Sequence, residues 1–174
     1  MRSIEHGQLA DEDTVRMMAD AGAWWSIQPF LADEDANVYT NPAQIVQQNL
    51  IAQGTVKALE MADKHNVKLA LGTDILFNPT ATATQGRQLA KFERWHDNAE
   101  VLRLLTSGNA ELLGLSGPRS PYERPLDVIK AGALADIVVL DGNPLETIDL
   151  IADPGTLMKL IVKNGRIRKN TLEG

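Results

Sequence analysis

The chain has 174 residues, 44% of them hydrophobic, which is enough for a folded globular state with a proper core. A formal net charge of −6 argues against a nucleic-acid-binding surface and gives no reason to invoke an anionic membrane. There is no cysteine, so disulfides, thiolate zinc sites and cysteine nucleophiles are excluded. No apolar run approaches the length of a transmembrane helix, about 18 residues. The opening MRSIEHGQLADED has no apolar core of a signal peptide, so no targeting signal is visible in this chain.

Residues 1–7 read as a strand that is already ending, with Ile4 followed by Glu5, His6 and Gly7. Asp11 is placed to cap a helix in which Val15, Met18 and Ala19 fall on one face, and Gly22 fits its C-terminal stop. Residues 23–28 form the next expected strand, ended by Pro29; Trp25 and Ile27 share one face, Trp24, Ser26 and Gln28 the other. After a loop rich in Asp, Glu and Asn, Pro42 fits the first turn of a long helix over about 43–65. Gly54 interrupts its apolar pattern and is the weak point of the expected helix. Val67–Leu71 is a short apolar run closed by Gly72, the pattern of a parallel strand buried on both faces. It delivers a carboxylate, Asp74, at its C-terminal tip.

A loop over 75–84 follows, then helical segments over 85–95, 99–106 and 109–113. The alternation of strand and helix is the βα pattern of a parallel α/β sheet or barrel. Composition changes after Gly114, and 116–121 is a turn-rich linker. Beyond it, short strands are expected at 128–129, 136–140, 160–162 and 166–168, with Asn164-Gly165 a strong hairpin signal. These readings give two domains, 1–115 and 116–174.

In an α/β barrel the chemistry sits at the C-terminal ends of the strands. His6 and Asp74 are both strand-end residues, and imidazole with carboxylate suits Zn²⁺, Fe²⁺, Mn²⁺ or Ni²⁺. The alternatives are a structural histidine and an aspartate that caps a turn. A catalytic metal site needs about three protein ligands and an open position, and the strand tip Ser26-Ile27-Gln28 offers no strong third ligand. His65 sits at a helix C-terminus, where a polar residue is ordinary, and His96 reads as a turn between helices. There is no GxSxG, Walker A, HExxH, or GxGxxG at a βα turn, which removes the commonest serine-hydrolase, P-loop, zincin and Rossmann readings.

Four stretches together resemble a known family: Ser3-Ile4-Glu5-His6-Gly7; Leu71-Gly72-Thr73-Asp74; Thr106-Ser107-Gly108-Asn109-Ala110-Glu111-Leu112-Leu113-Gly114; and Ala131–Pro144, reading AGALADIVVLDGNP. With the closing Val162–Gly165 hairpin, they are similar in order to the C-terminal half of the amidohydrolase superfamily, in its imidazolonepropionase-like and prolidase-like branch. The resemblance covers nearly the whole chain. It implies the C-terminal portion, about strands six to eight, of a (β/α)8 TIM barrel, plus part of a small β-sandwich. His6 would match the metal-ligand histidine ending strand six, and Asp74 the aspartate ending strand eight, which binds metal and handles the proton. Residues 24–28 would be strand seven. The implied cofactor is one or two divalent ions, zinc first, with iron, manganese or nickel as alternatives. The implied reaction is hydrolysis of a C–N bond in a small amide or dipeptide, with Phe77, Asn78 and Pro79 bordering the pocket.

The family's His-x-His pair, its strand-four lysine or glutamate and its strand-five histidine have no counterpart in this chain. The chain is therefore expected to be a C-terminal fragment, inactive as a monomer, that self-associates through the edge at 2–6 or pairs with a missing N-terminal half. Two rival readings are a non-enzymatic truncated product or half-barrel that needs a partner, and a metal-free small-molecule-binding α/β domain.

Overall fold

Three short strands, β1 (Ser3–Glu5), β2 (Trp24–Ile27) and β3 (Lys68–Leu71), pair in parallel in the order β1-β2-β3. The computed structural model describes residues 1–75, 79–126 and 128–172. Ile4, Trp25 and Leu69 stand side by side in the ladder, and helices α1 (Glu12–Asp20) and α2 (Pro42–Lys64) fill the two crossovers. Parallel neighbours joined by right-handed crossovers place successive helices on one face of the sheet, and α1 indeed packs against α2. The core between helices and strands holds Val15, Trp25, Ile27, Ala58 and Leu59, all fully buried.

The helix ends follow their sequence signals. The Asp11 side chain accepts from the Thr14 amide at 2.9 Å, and Gly22 takes a positive φ just past the end of α1. Asn41 caps α2, with Pro42 in its first turn.

The long helix expected over about 43–65 is present, and α2 runs unbroken through Gly54. A Cβ on Gly54 would lie 2.5 Å from the Gln8 carbonyl oxygen, so glycine is there to let the helix approach the loop after β1. The cost of glycine in a helix, about 1 kcal/mol relative to alanine, is offset by that close packing.

The start of α1 is tied to the end of α2 through Glu12, which accepts from Lys64 Nζ at 2.6 Å and pairs with His65 Nε2 at 2.9 Å. Lys64 first, then His65, hold the Glu12 carboxyl down from the ordinary glutamate value of 4.5 to about 2. Between those two values the folded chain binds fewer protons than the unfolded one, so stability rises with pH there. The contribution is complete above about pH 4.5 and is lost as pH falls through about 2. Thermal melts should therefore show the chain above Glu12→Gln at pH 6, with the two converging by pH 2. A gap of constant size would mean that the charge of Glu12 is not its source.

The other strands form a separate antiparallel sheet of order β4-β5-β6, with β4 Ile137–Leu140, β5 Met158–Lys163 and β6 Arg166–Asn170. Asn164 and Gly165 both have positive φ, as a tight two-residue hairpin turn demands. Asp136 secures that turn: it pairs with Lys163 and accepts from the Asn164 amide at 2.6 Å. The Lys163 ammonium, more than the amide, holds the Asp136 carboxyl below its usual range.

Two expectations are corrected. Val128 and Ile129 form no strand: Ile129 is 90% exposed, and β4, β5 and β6 pair with one another instead. The helices expected over 99–106 and 109–113 are one continuous run. In it α4 (Asn98–Arg103) passes through a π-helical turn at Leu104–Gly108 into α5 (Asn109–Gly114). Upstream, a 3₁₀ turn spans Pro79–Thr84, and α3 (Gln85–Ala90) leads into a further 3₁₀ turn at Lys91–Arg94.

Packing divides the chain into two compact units, Met1–Thr82 and Ala83–Gly174. The composition change after Gly114 falls inside the second, so the boundary expected at 115/116 does not coincide with this division. No helix among the described residues is long and apolar enough to cross a membrane.

Candidate metal centre

His6 directly follows β1. Its amide extends the ladder by donating to the Ser26 carbonyl at 2.9 Å, and then φ of +63° at His6 and +71° at Gly7 turn the chain sharply out of the strand. The His6 carbonyl accepts from the Trp25 indole Nε1 at 2.6 Å, and the imidazole stacks on Phe30 with centroids 6.3 Å apart and planes 15° from parallel. The turn residue and the ring are thus both held by β2 and the segment after it.

Asp74 follows β3 by three residues, after Gly72, whose amide donates to the Ile27 carbonyl at 3.2 Å, and the buried Thr73. Asp74 also has a positive φ, +51°. Aspartate and histidine are among the non-glycine residues that tolerate this region best. The two expected site residues are brought together, with His6 Nε2 at 4.0 Å from Asp74 Oδ2 and both side chains partly exposed.

That separation is too long for a hydrogen bond. Two ligands of a common ion, each bonded at about 2.1 Å, can lie at most about 4.2 Å apart, and the observed pair falls inside this limit. With Nδ1 of His6 engaged by Gln28 Oε1 at 2.8 Å, Nε2 is the ring nitrogen left for a metal. A neutral nitrogen and a carboxylate oxygen are a fitting partial donor set for a divalent transition metal. Among the described residues no group of three or more His, Cys, Asp or Glu is placed to hold a metal ion together.

The other histidines are placed elsewhere. His65 pairs with Glu12, and His96 belongs to the second unit. Phe77 and Asn78, expected to border the pocket, lie outside the described residues. One residue at the site was not singled out from the sequence. Gln28 lies on the strand tip that offers no strong ligand, yet it is buried and hydrogen-bonded to both His6 and Gln8. The available signal was a polar side chain one residue past an otherwise apolar strand, beside a strand-end histidine.

A family model described as "Amidohydrolase family" matches residues 1–168. The chain is 28% identical to the ochratoxinase of Aspergillus niger, with 97% of this chain and 34% of that protein aligned. A crystal structure of an amidohydrolase superposes with a TM-score of 0.82 at 30% identity, covering 99% of this chain and 41% of that one. The crystal structure of a prolidase complexed with N-methylphosphonate-L-proline gives 0.81 at 31% identity, covering 98% and 40%. The chain thus spans about a third of the length of the curated relative it matches.

Proposed function

The chain belongs to the amidohydrolase family, and from that membership we propose that it is the His6–Asp74 portion of a metal-dependent hydrolase acting on C–N bonds. The observation that carries the reading is the 4.0 Å approach of His6 Nε2 to Asp74 Oδ2 at the ends of two strands of one parallel sheet. In this reading β1, β2 and β3 are strands six to eight of a (β/α)8 barrel in a domain reaching residue 115, and the β4–β6 sheet belongs to a β-sandwich over 116–174. The substrate class is a small amide or dipeptide, in keeping with the likeness to a prolidase and an ochratoxinase.

His6 Nε2 and a carboxylate oxygen of Asp74 would hold the ion, zinc first, with iron, manganese or nickel as alternatives. When bound, a divalent metal supplies Lewis acidity and a lowered pKa of water. Asp74 accepts a proton from the attacking water on its carboxylate as the new C–O bond forms, then delivers it to the leaving nitrogen as the C–N bond breaks. The products are a carboxylic acid and an amine. His6, pinned between Gln28 and Phe30, orients its free nitrogen. A catalytic site takes about three protein ligands, so the pair is completed by ligands from further polypeptide or a second copy of the chain, and the isolated monomer does not turn over.

Calorimetric titration of the metal-depleted chain with Zn²⁺ or Mn²⁺ tests this. Binding should be present in the chain and lost in His6→Asn and in Asp74→Asn; unchanged binding in both variants overturns the assignment. Parallel assays on dipeptides and N-acyl amino acids should show no turnover by the monomer. Metal-dependent turnover that vanishes in Asp74→Asn would support the hydrolase reading and refute the need for further ligands.

A further inference from the structure

We infer that Gln28 is a positioning residue: it holds His6 in the tautomer with the proton on Nδ1, so that the lone pair of Nε2 faces Asp74. This rests on the reading of His6 as a metal ligand for its purpose, although its geometry stands alone. The argument is one of hydrogen-bond polarity. The Ser26 carbonyl can only accept, so the Gln28 side-chain atom 3.4 Å from it must be the donating amide nitrogen, Nε2. That fixes the orientation of the amide and turns its oxygen, Oε1, toward His6 Nδ1 at 2.8 Å. An amide oxygen can only accept, so Nδ1 must be the donor and carry the hydrogen. In a neutral imidazole the other nitrogen then holds the lone pair.

Gln8 reinforces the arrangement. Its Nε2 donates to the same Gln28 oxygen at 3.1 Å, and both glutamines are buried, 7% and 5% exposed. A flipped Gln28 would set its NH₂ against that of Gln8 and its oxygen against the Ser26 carbonyl oxygen, which already accepts from the His6 amide, so like groups would oppose each other in a buried place. Gln8 is itself held where α2 crosses its carbonyl at Gly54. A backbone carbonyl at the end of β2 thus dictates, through one amide, which nitrogen β1 presents to the site. Ligating histidines characteristically donate their second N–H to such a partner, and loss of that partner lowers metal affinity about 10–100-fold.

Long-range ¹H–¹⁵N correlation spectra of the whole metal-free chain at about pH 9, above the ordinary histidine range near 6.5, read the tautomer directly. The His6 signals are assigned by their loss in His6→Asn. The expected result is a protonated-type shift at Nδ1 and an unprotonated-type shift at Nε2, moving toward the opposite tautomer in Gln28→Leu and retained in Gln28→Glu, which keeps an acceptor. A His6 with its proton on Nε2 in the unsubstituted chain overturns the inference, and so does a Gln28→Leu spectrum that is unchanged. If Gln28→Leu does not fold, the spectrum of the unsubstituted chain decides alone. Zn²⁺ affinity should fall about 10–100-fold in Gln28→Leu and stay near the original in Gln28→Glu. A chain that binds no metal but shows the stated tautomer defeats the metal reading and leaves the role of Gln28 intact.

Discussion

Trp25→Ala should lower stability by about 3–5 kcal/mol, the range for a large aromatic removed from a core. Trp25 is fully buried on the middle strand, and its indole Nε1 donates to the His6 carbonyl at 2.6 Å. Alanine deletes the ring from between sheet and helices and strips a hydrogen bond from a residue in a tight turn. Trp25→Phe separates the two effects. It keeps most of the packing and loses the donor, and should cost about 1–2 kcal/mol. Urea denaturation followed by circular dichroism measures both. A cost below about 1 kcal/mol for the alanine variant would mean that the β1-β2-β3 sheet is not the stabilising core of its unit. Because the indole also braces the turn at His6, both variants should weaken metal binding more than a core substitution such as Leu59→Ala does.

Gly86→Ala should destabilise the second unit by about 2–3 kcal/mol, although alanine is the better helix former by about 1 kcal/mol. A Cβ at this position would lie 1.9 Å from the Ile151 carbonyl oxygen, 2.9 Å from its carbon and 3.3 Å from Ala152 Cα. All three are backbone atoms, so no side-chain rotation relieves the overlap. Helix α3 must lift from the 3₁₀ turn Ile148–Ile151, whose Ile148 is fully buried and Leu150 nearly so. Faster amide exchange concentrated at 148–151, together with a lower melting temperature, is the expected signature. Gly114→Ala is the control: nothing lies within 4 Å of its Cβ position, so it should be near neutral. Equal effects at the two glycines would refute the steric account.

Local signals in the sequence were read well because each acts within a few residues. Asp11 caps the helix it precedes, Pro42 opens α2, and Asn164-Gly165 turns the hairpin between β5 and β6. The rest depends on packing and pairing that a local pattern does not carry. Gly54 breaks a pattern on paper, but in space it is where a helix crosses the carbonyl of Gln8, 46 positions earlier (54 − 8). Val128-Ile129 has a strand's composition, but a strand requires a partner, and this sheet pairs only β4, β5 and β6 while Ile129 stays exposed. The break expected between 106 and 109 is a π-helical turn, with Thr106 Oγ1 donating to the Leu102 carbonyl at 2.6 Å. The approach of His6 to Asp74 was legible because both follow strands of one parallel sheet. Gln28 was not, since its importance lies in two partners 22 and 20 positions away.

The positive φ at His6 and Asp74 bears on how any library of variants should be scored. An ordinary side chain pays about 1–2 kcal/mol in the left-handed region, which asparagine and glycine largely escape. At both positions, then, selection for abundance and selection for metal binding draw on overlapping alphabets. Asn and Gly would survive a screen for folded protein while abolishing the ligand, and Val and Ile would vanish from both. Positions 6 and 74 would look tolerant in one readout and invariant in the other, and that divergence is a genetic marker of the site. Alanine, penalised by the backbone as well as by the missing group, blurs the two.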